Sequence, residues 1–322
     1  MNFLSKLFFT FSLLFLIVIL VLTAVFFPTE ENSSLHKIVE IPGGSSAHQI
    51  INILEEEGIV RKNNYILGAV LKFARLEEKL KYGEYDLSPA MNMAQILEKL
   101  VKGEVVLYKI TIPEGYNSEQ IAELLDKKGI VEKESFLKLV KNNEKSWEGY
   151  LFPDTYEVPK GYGGEKMLKL LLSNFNQQVV DKLAPKIEES QFSLPEIIIL
   201  ASLIEKEAKY EEEKSKVSSV FYNRLKKGMK LQSCATIQYI LGTPKERLEE
   251  ADLKIDSPYN TYLYAGLPPG PICNPGLESI IAALEPAESN WLYFVLGEDG
   301  RHIFSETYEE HLKNKNKNQN QR

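Results

Sequence analysis

The spacing of apolar and polar residues changes several times along the chain, and each change marks a different kind of element. Residues 7–27 carry no charge and are almost wholly apolar, long enough as a helix to cross roughly 30 Å of hydrocarbon. This predicts a membrane span within an anchor at residues 1–28. A cleaved signal peptide is the competing reading, but the apolar run exceeds the usual signal core and no A-x-A site follows it. Lys6 flanks one side of the run and Glu30 and Glu31 the other. The positive-inside rule therefore places the N-terminus in the cytoplasm and the remainder outside, as a single-pass protein of the cell membrane. Residues 29–37 form a polar linker.

Beyond the linker the pattern alternates between strand-like and helical spacing, and does so twice. Val39-Glu40-Ile41-Pro42-Gly43-Gly44 is matched 71 residues later by Ile110-Thr111-Ile112-Pro113-Glu114-Gly115. The same offset relates Gln49 to Gln120, Gly58 to Gly129, Tyr65 to Phe136, Tyr85 to Tyr156 and Leu97 to Leu168. Each copy predicts a strand ending at the Ile-Pro pair, a turn, an amphipathic helix stopped by glycine, a second helix, a short strand around Tyr85 or Tyr156, and a last helix. The copies span residues 38–108 and 109–185. Their strand-helix-helix-strand core resembles LysM, a glycan-binding module, and nothing in the first copy looks catalytic. The second copy departs at Glu148 to Tyr156, where aromatics, a proline and an acid replace Lys81 to Tyr85. This is either a strand edge with a Pro-Asp turn or one wall of a groove, with Asp154 and Tyr156 facing a ligand.

Helical spacing dominates from residue 186 and defines a mostly helical part over 186–312. Ser193-Leu194-Pro195-Glu196 has the S-x-x-E spacing of a capping box with proline in the first turn, so a helix starts at about Leu194. At 100° per residue, Leu194, Ile198, Ala201, Glu205 and Ala208 share one face, while Glu207 points nearly opposite. The first turns are apolar all round, as in a central core helix. Two readings fit a carboxyl there. Glu205 either pairs with a buried cation, or it is a general acid whose pKa desolvation raises toward neutrality. A second helix follows with Val217, Val220, Phe221 and Leu225 on its buried face and Gly228 as its stop. Gln232, Thr236 and Gln238 then alternate with apolar residues into a short helix ending at Gly242, with one edge toward a cleft. Residues 257–276 are dense in proline, glycine and tyrosine. Such a loop suits a sugar, with Tyr259 and Tyr262 to stack on pyranose faces, Asn260 to bond hydroxyls and Leu267 beside them; an ordered structural loop is the plainer account. Asn274 and Pro275 predict the start of a helix through Leu284. A hairpin follows, Trp291 to Leu296 with Arg301 to Ser305, and a Lys/Asn/Gln tail at 313–322 predicts disorder.

Composition narrows the chemistry. With 322 residues and 44% hydrophobic content the chain holds a substantial core. A net charge of −7 and a pI near 5.4, with scattered basic residues, argue against a nucleic-acid partner. The four histidines form no ligand pattern and two cysteines make no zinc site, so no metal or cofactor is expected. Cys234 and Cys273 lie in the two segments assigned to the cleft. Outside the cytoplasm a disulfide between them would tie those segments together; two reduced thiols are the alternative.

Taken together, Glu148 to Tyr156, Ala201 to Glu207, Val220 to Leu225, Ser257 to Tyr262 and Gly266 to Ile272 resemble the endolytic murein transglycosylases, the MltG or YceG-like family. The resemblance covers nearly everything after the linker. It implies an α+β protein with a transmembrane helix, duplicated small LysM-like units, and a mostly helical catalytic domain with a C-terminal β-hairpin. It also implies a membrane-anchored lyase that cuts peptidoglycan glycan strands internally, leaves 1,6-anhydro-N-acetylmuramic acid ends and terminates elongation. Peptidoglycan synthases would be its partners. The catalytic acid of the family falls on Glu205, with Gln232, Asn260 and the tyrosines orienting the glycan and Glu207 in a structural bond or ion pair. One departure is visible: Ser233-Cys234-Ala235-Thr236 stands where the resemblance calls for an acid-proline pair. A hydrolytic muramidase using Asp154 or Glu148 as second carboxylate, and a tethered glycan-binding protein, remain as alternatives.

Overall fold

A computed structural model of the chain describes residues 3–62, 79–142, 145–243 and 245–319. The first element, α1 (Phe3–Phe26), is the apolar run. Phe8, Phe11, Phe15 and Leu16 on it are exposed, and among the described residues it is the one helix long and apolar enough to cross a membrane. The rest is mixed α+β. Contacts divide the chain into two units, residues 1–109 with 157–161, and residues 110–156 with 162–322.

In the first unit, β1 (Lys37–Ile41) pairs antiparallel with β2 (Gly83–Leu87), setting Val39 opposite Tyr85. Helices α2 (Ala47–Glu56) and α3 (Met93–Lys102) cover the pair. Both begin in full capping boxes, Ser46 with Gln49 and Asn92 with Gln95, which satisfy backbone donors that a helix start leaves orphaned. Val39, Ile50, Leu54, Ile96 and Leu100 close around Tyr85. The Tyr85 hydroxyl donates to the Lys81 carbonyl at 2.7 Å, and burial pushes its phenol up to about 12. The expected second helix of this copy and Tyr65 lie outside the described residues.

Residues 108–158 use similar local devices. Strands β3 (Tyr108–Thr111) and β6 (Thr155–Val158) form a two-stranded sheet. Between them lie α4 (Ser118–Lys127), α5 (Lys133–Val140) and a minimal hairpin of β4 (Lys141–Asn142) and β5 (Lys145–Ser146). Asn117 and Gln120 form the capping box of α4, the positions that correspond to Ser46 and Gln49. The Tyr156 hydroxyl donates to the Phe152 carbonyl at 2.6 Å, as Tyr85 does to Lys81. A helical rod follows: α6 (Gly164–Phe175), a π-turn over Asn176–Asp181, and α7 (Lys182–Glu189). The wide turn precedes Pro185, which has no N–H to return to Asp181.

Helix α8 (Leu194–Glu207) is the centre of the second unit, and every residue from Ile197 to Ile204 is buried. It starts where the sequence places it, with the Ser193 and Glu196 side chains reciprocally bonded. Each of its large aliphatic side chains contributes roughly 1.5–3 kcal/mol by leaving water. Around it pack α9 (Glu211–Lys226), α10 (Cys234–Leu241) and α11 (Leu277–Leu284). The C-terminal hairpin of β7 (Tyr293–Leu296) and β8 (His302–Ser305) is antiparallel, with Phe294 opposite Phe304. Buried Arg224 fastens it to α9, donating from Nε to Leu292 at 2.6 Å and from Nη1 to Leu231 at 2.7 Å. Glu213 accepts from the His302 backbone at 2.8 Å and bonds its ring at 2.9 Å.

Two expectations need correction. Helix α11 begins after a Gly276 cap rather than at Asn274, because the Asn274 side chain is taken up in long-range bonds. Residues 313–319 continue α12 (Tyr308–Gln319) instead of lacking structure. The reason is that this helix is docked: Tyr308 and His311 lie against the Tyr293 ring at 5.7 and 5.3 Å, and Asn314 donates to Ser305 at 3.0 Å.

Candidate active site

Glu205 sits in the last turn of α8, where the apolar run of the helix gives way to polar residues, and its side chain is 10% exposed. Its surroundings are not the apolar pocket that the helix face suggests. Three donors converge on Oε2: the Ser279 hydroxyl at 2.6 Å, the Gly276 backbone N–H at 3.1 Å and the Lys214 ammonium at 3.3 Å. Oε1 takes none of the three. Ser279 and Gly276 come from the first turn of α11, whose unpaired N–H groups and dipole favour an anion. Lys214 comes from α9 and is buried.

A second carboxylate shares that lysine. Glu114, in the turn after β3, approaches Lys214 at 3.8 Å. A Cβ on Gly276 would overlap the Glu114 carboxylate, and a Cβ on Gly115 would stand 3.5 Å from Cγ of Glu205. Partial burial, then the charge of Glu205, raises the Glu114 carboxyl above its usual range, against the pull of Lys214. The side chain stays half-exposed.

Gly115 also lines a groove of about 800 Å³, with Lys206, Glu148, Gln238, Tyr239 and Tyr259 among its walls. Lys206 bonds the Gly115 carbonyl at 3.4 Å, so the groove runs beside Glu205's own turn. Tyr239 and Tyr259 pair at 5.0 Å between centroids, presenting amphipathic ring edges to it. Glu148 is buried in the wall and accepts from the Ser118 backbone and hydroxyl and from Asn274 at 2.6–3.1 Å. Desolvation pushes its carboxyl up in spite of these donors.

A family model described as the YceG-like family matches residues 39–317. The chain belongs to that family. An endolytic murein transglycosylase of Bacillus subtilis is 34% identical over 90% of this chain and 87% of its own length. One from Streptococcus pneumoniae is 31% identical over 89% of this chain, which spans 59% of that longer protein. A crystal structure of a YceG-like protein from Listeria monocytogenes, 35% identical, superposes with a TM-score of 0.60 over 87% of this chain and 99% of its own.

In this YceG-like chain the residues expected to touch substrate separate into two groups. Gln238 and Tyr259 line the groove, and Gln232 is exposed at the entry to α10. Gln232 holds a positive φ of 48°, which costs a non-glycine residue roughly 1–2 kcal/mol. Its N–H is pinned to the Thr261 carbonyl at 3.1 Å. The second group is structural. Asn260 is fully buried, donating to Leu253 and Ile255 and accepting from Tyr262, so it shapes its loop from within. Thr236 is fully buried, bonded to Ser233 and Thr261. Tyr156 is turned inward to Phe152, and exposed Asp154 accepts from Asn174 at 2.9 Å. Leu267 packs on the core of the unit, and the half-buried Tyr262 hydroxyl meets the Cys234 sulfur at 3.0 Å. Gln238 spends both ends of its amide on Lys245, so it offers the groove mainly its flank. Glu207 bonds the Ser233 hydroxyl at 2.5 Å.

The Cys234–Cys273 bridge is not formed. Cys234 is exposed beside Tyr262, whereas Cys273 is buried with its sulfur toward the Ser202 carbonyl at 3.4 Å. Burial raises the Cys273 thiol well above its usual value. Among the described residues no group of three or more His, Cys, Asp or Glu is placed to hold a metal. Lys214, Ser279 and Gly276 were missed because each looks ordinary in sequence: a charge run, an apolar helix and a turn. Glu114 did leave a signal, since the first copy has Gly43 at the corresponding position.

Proposed function

We propose that this chain is a membrane-anchored endolytic lytic transglycosylase acting on the glycan strands of peptidoglycan. The observation that carries this reading is Glu205: one carboxyl oxygen is fixed by three donors, the other is left for chemistry, and the whole group stands beside a tyrosine-lined groove. Protonated Glu205 gives its proton to the glycosidic oxygen between N-acetylmuramic acid and N-acetylglucosamine, and the bond from C1 to that oxygen breaks. The C6 hydroxyl oxygen of the muramic residue closes on C1, and its proton returns to Glu205. No water is consumed and one carboxyl serves both steps. The internal hydroxyl gains the effective molarity of a reactant already held in place.

The groove supports glycan binding because it pairs aromatic rings with Lys206 and Glu148. The strained backbone of Gln232 fits a side chain aimed at substrate. Helix α1 serves as the single-pass anchor, with the N-terminus cytoplasmic and the chain beyond the linker outside. Residues 38–108 act as a LysM-like glycan-binding unit, and strand termination makes peptidoglycan synthases the natural partners.

The test is mass spectrometry of strands digested by the full chain in detergent. Products one water lighter than ordinary reducing ends are expected, and Glu205→Gln lowers their rate by about 100-fold or more. Ordinary reducing ends would favour a muramidase, and unchanged cleavage by the variant would reject Glu205 as the acid.

A further inference from the structure

Glu114 has no part in the single-carboxylate scheme above, yet its position is constrained from several sides. Gly276 has φ −73° and ψ 167°, a conformation open to any residue, so its backbone does not call for glycine. Space does: a Cβ there would overlap the Glu114 carboxylate, while the N–H of the same residue donates to Glu205 at 3.1 Å. The two carboxylates thus meet one backbone unit from two sides. They also share a buried ammonium, with Lys214 at 3.3 Å from Glu205 and 3.8 Å from Glu114. We propose that Glu114 is a positioning residue for the reaction: by sharing Lys214 with Glu205 across Gly276, it sets the pH range in which Glu205 holds the proton it must donate.

The argument is one of charge balance. An ammonium held by Glu205 alone favours the carboxylate and withholds the proton from a leaving group. A second carboxylate on the same ammonium divides that attraction and adds repulsion, both of which favour the protonated acid. Other charges face the cluster from each neighbouring element: Glu211 on α9, Glu278 on α11, and Lys206 one residue beyond Glu205. Glu211 and Glu278 act on Glu114 more weakly than Glu205 does. Glu114 remains half-exposed, so its charge can be altered without opening the core.

This inference rests on the lyase reading, and the experiment separates the two. The rate of anhydro-end formation is followed against pH for the full chain in detergent, with thermal melting as the folding control. Glu114→Gln moves the descending alkaline limb to lower pH by about half a unit or more, because Glu205 then loses its proton earlier. Lys214→Met moves the limb the opposite way. Gly276→Ala, which displaces the Glu114 carboxylate, reproduces the Glu114→Gln shift, and adds little in a Glu114→Ala background. A Glu114→Gln profile that superposes on wild type, or limbs that move the same way in the Glu114 and Lys214 variants, overturns the proposal while leaving the lyase intact. Wild-type protein that makes no anhydro ends overturns both.

Discussion

At the scale of single residues, the second unit contains three kinds of carboxyl, and burial alone does not tell them apart. Glu205 is nearly buried yet ringed by donors on one oxygen. Glu114 is half-exposed, and partial burial and the neighbouring Glu205 charge raise its carboxyl above the usual range. Glu148 is deeply buried, and desolvation outweighs its hydrogen bonds. The consequence for Glu148 is a pH-dependent stability of definite sign. Its folded-state pKa lies above the unfolded value of 4.5, so its contribution is complete below that value and is lost as pH rises through the folded one. Glu148→Gln carries no such titration. The stability advantage of wild type over the variant should therefore shrink as pH rises above about 4.5, as read from urea unfolding at a series of pH values. A difference independent of pH would show that Glu148 titrates alike in the folded and unfolded states.

At the scale of elements, α8 works as a post on which loops are hung. Ser202, buried in mid-helix, donates to the Ile199 carbonyl at 2.7 Å and accepts the Ile272 N–H of the proline-rich loop at 3.1 Å. From the other side the Glu148–Tyr156 segment approaches at Gly149, which has φ +87° and where a Cβ would meet Pro271 at 2.5 Å and Ile198 at 2.7 Å. Asn274 ties the same segment down by accepting from Leu151 at 2.8 Å. The aromatic Glu148–Tyr156 segment is thus a packing device that brings the groove wall against α8. Gly149→Ala combines a left-handed backbone cost of roughly 1–2 kcal/mol with overpacking of roughly 1–3 kcal/mol. A loss of about 2–5 kcal/mol in unfolding free energy is expected, with strand cleavage falling in parallel because the groove wall moves.

At the scale of the whole molecule, the exposed apolar side chains of α1 and the charged residues of the rest of the chain need different solvents. Leaving Phe8, Phe11 and Phe15 in water would cost roughly 25 cal/mol for each Å² of apolar surface. The full chain should sediment with membranes through high salt and alkaline carbonate and be released by detergent. Removal of residues 1–28 should leave a soluble protein that still cleaves isolated strands but no longer co-sediments. Sedimentation of the shortened chain with lipid would place membrane affinity elsewhere on its surface.

What the sequence determined by itself is what neighbours within a few residues control. The long apolar helix, the capped helix starting at Leu194 and the hairpin all follow from periodicity and from side chains that reach their own backbone. Glu205 was legible for the same reason, because its place on the helix is a matter of phase. The tertiary structure decided which distant segments meet. Ser279 and Gly276 reach Glu205 from more than 70 residues away, and Glu114 from the opposite side of the sequence. Asn260 and Thr236 turned inward to satisfy buried backbone and hydroxyl groups, and the two cysteines found other partners. Local pattern carries direction and period, but no information on which helix end will supply its N–H groups to a carboxylate; only packing fixes that.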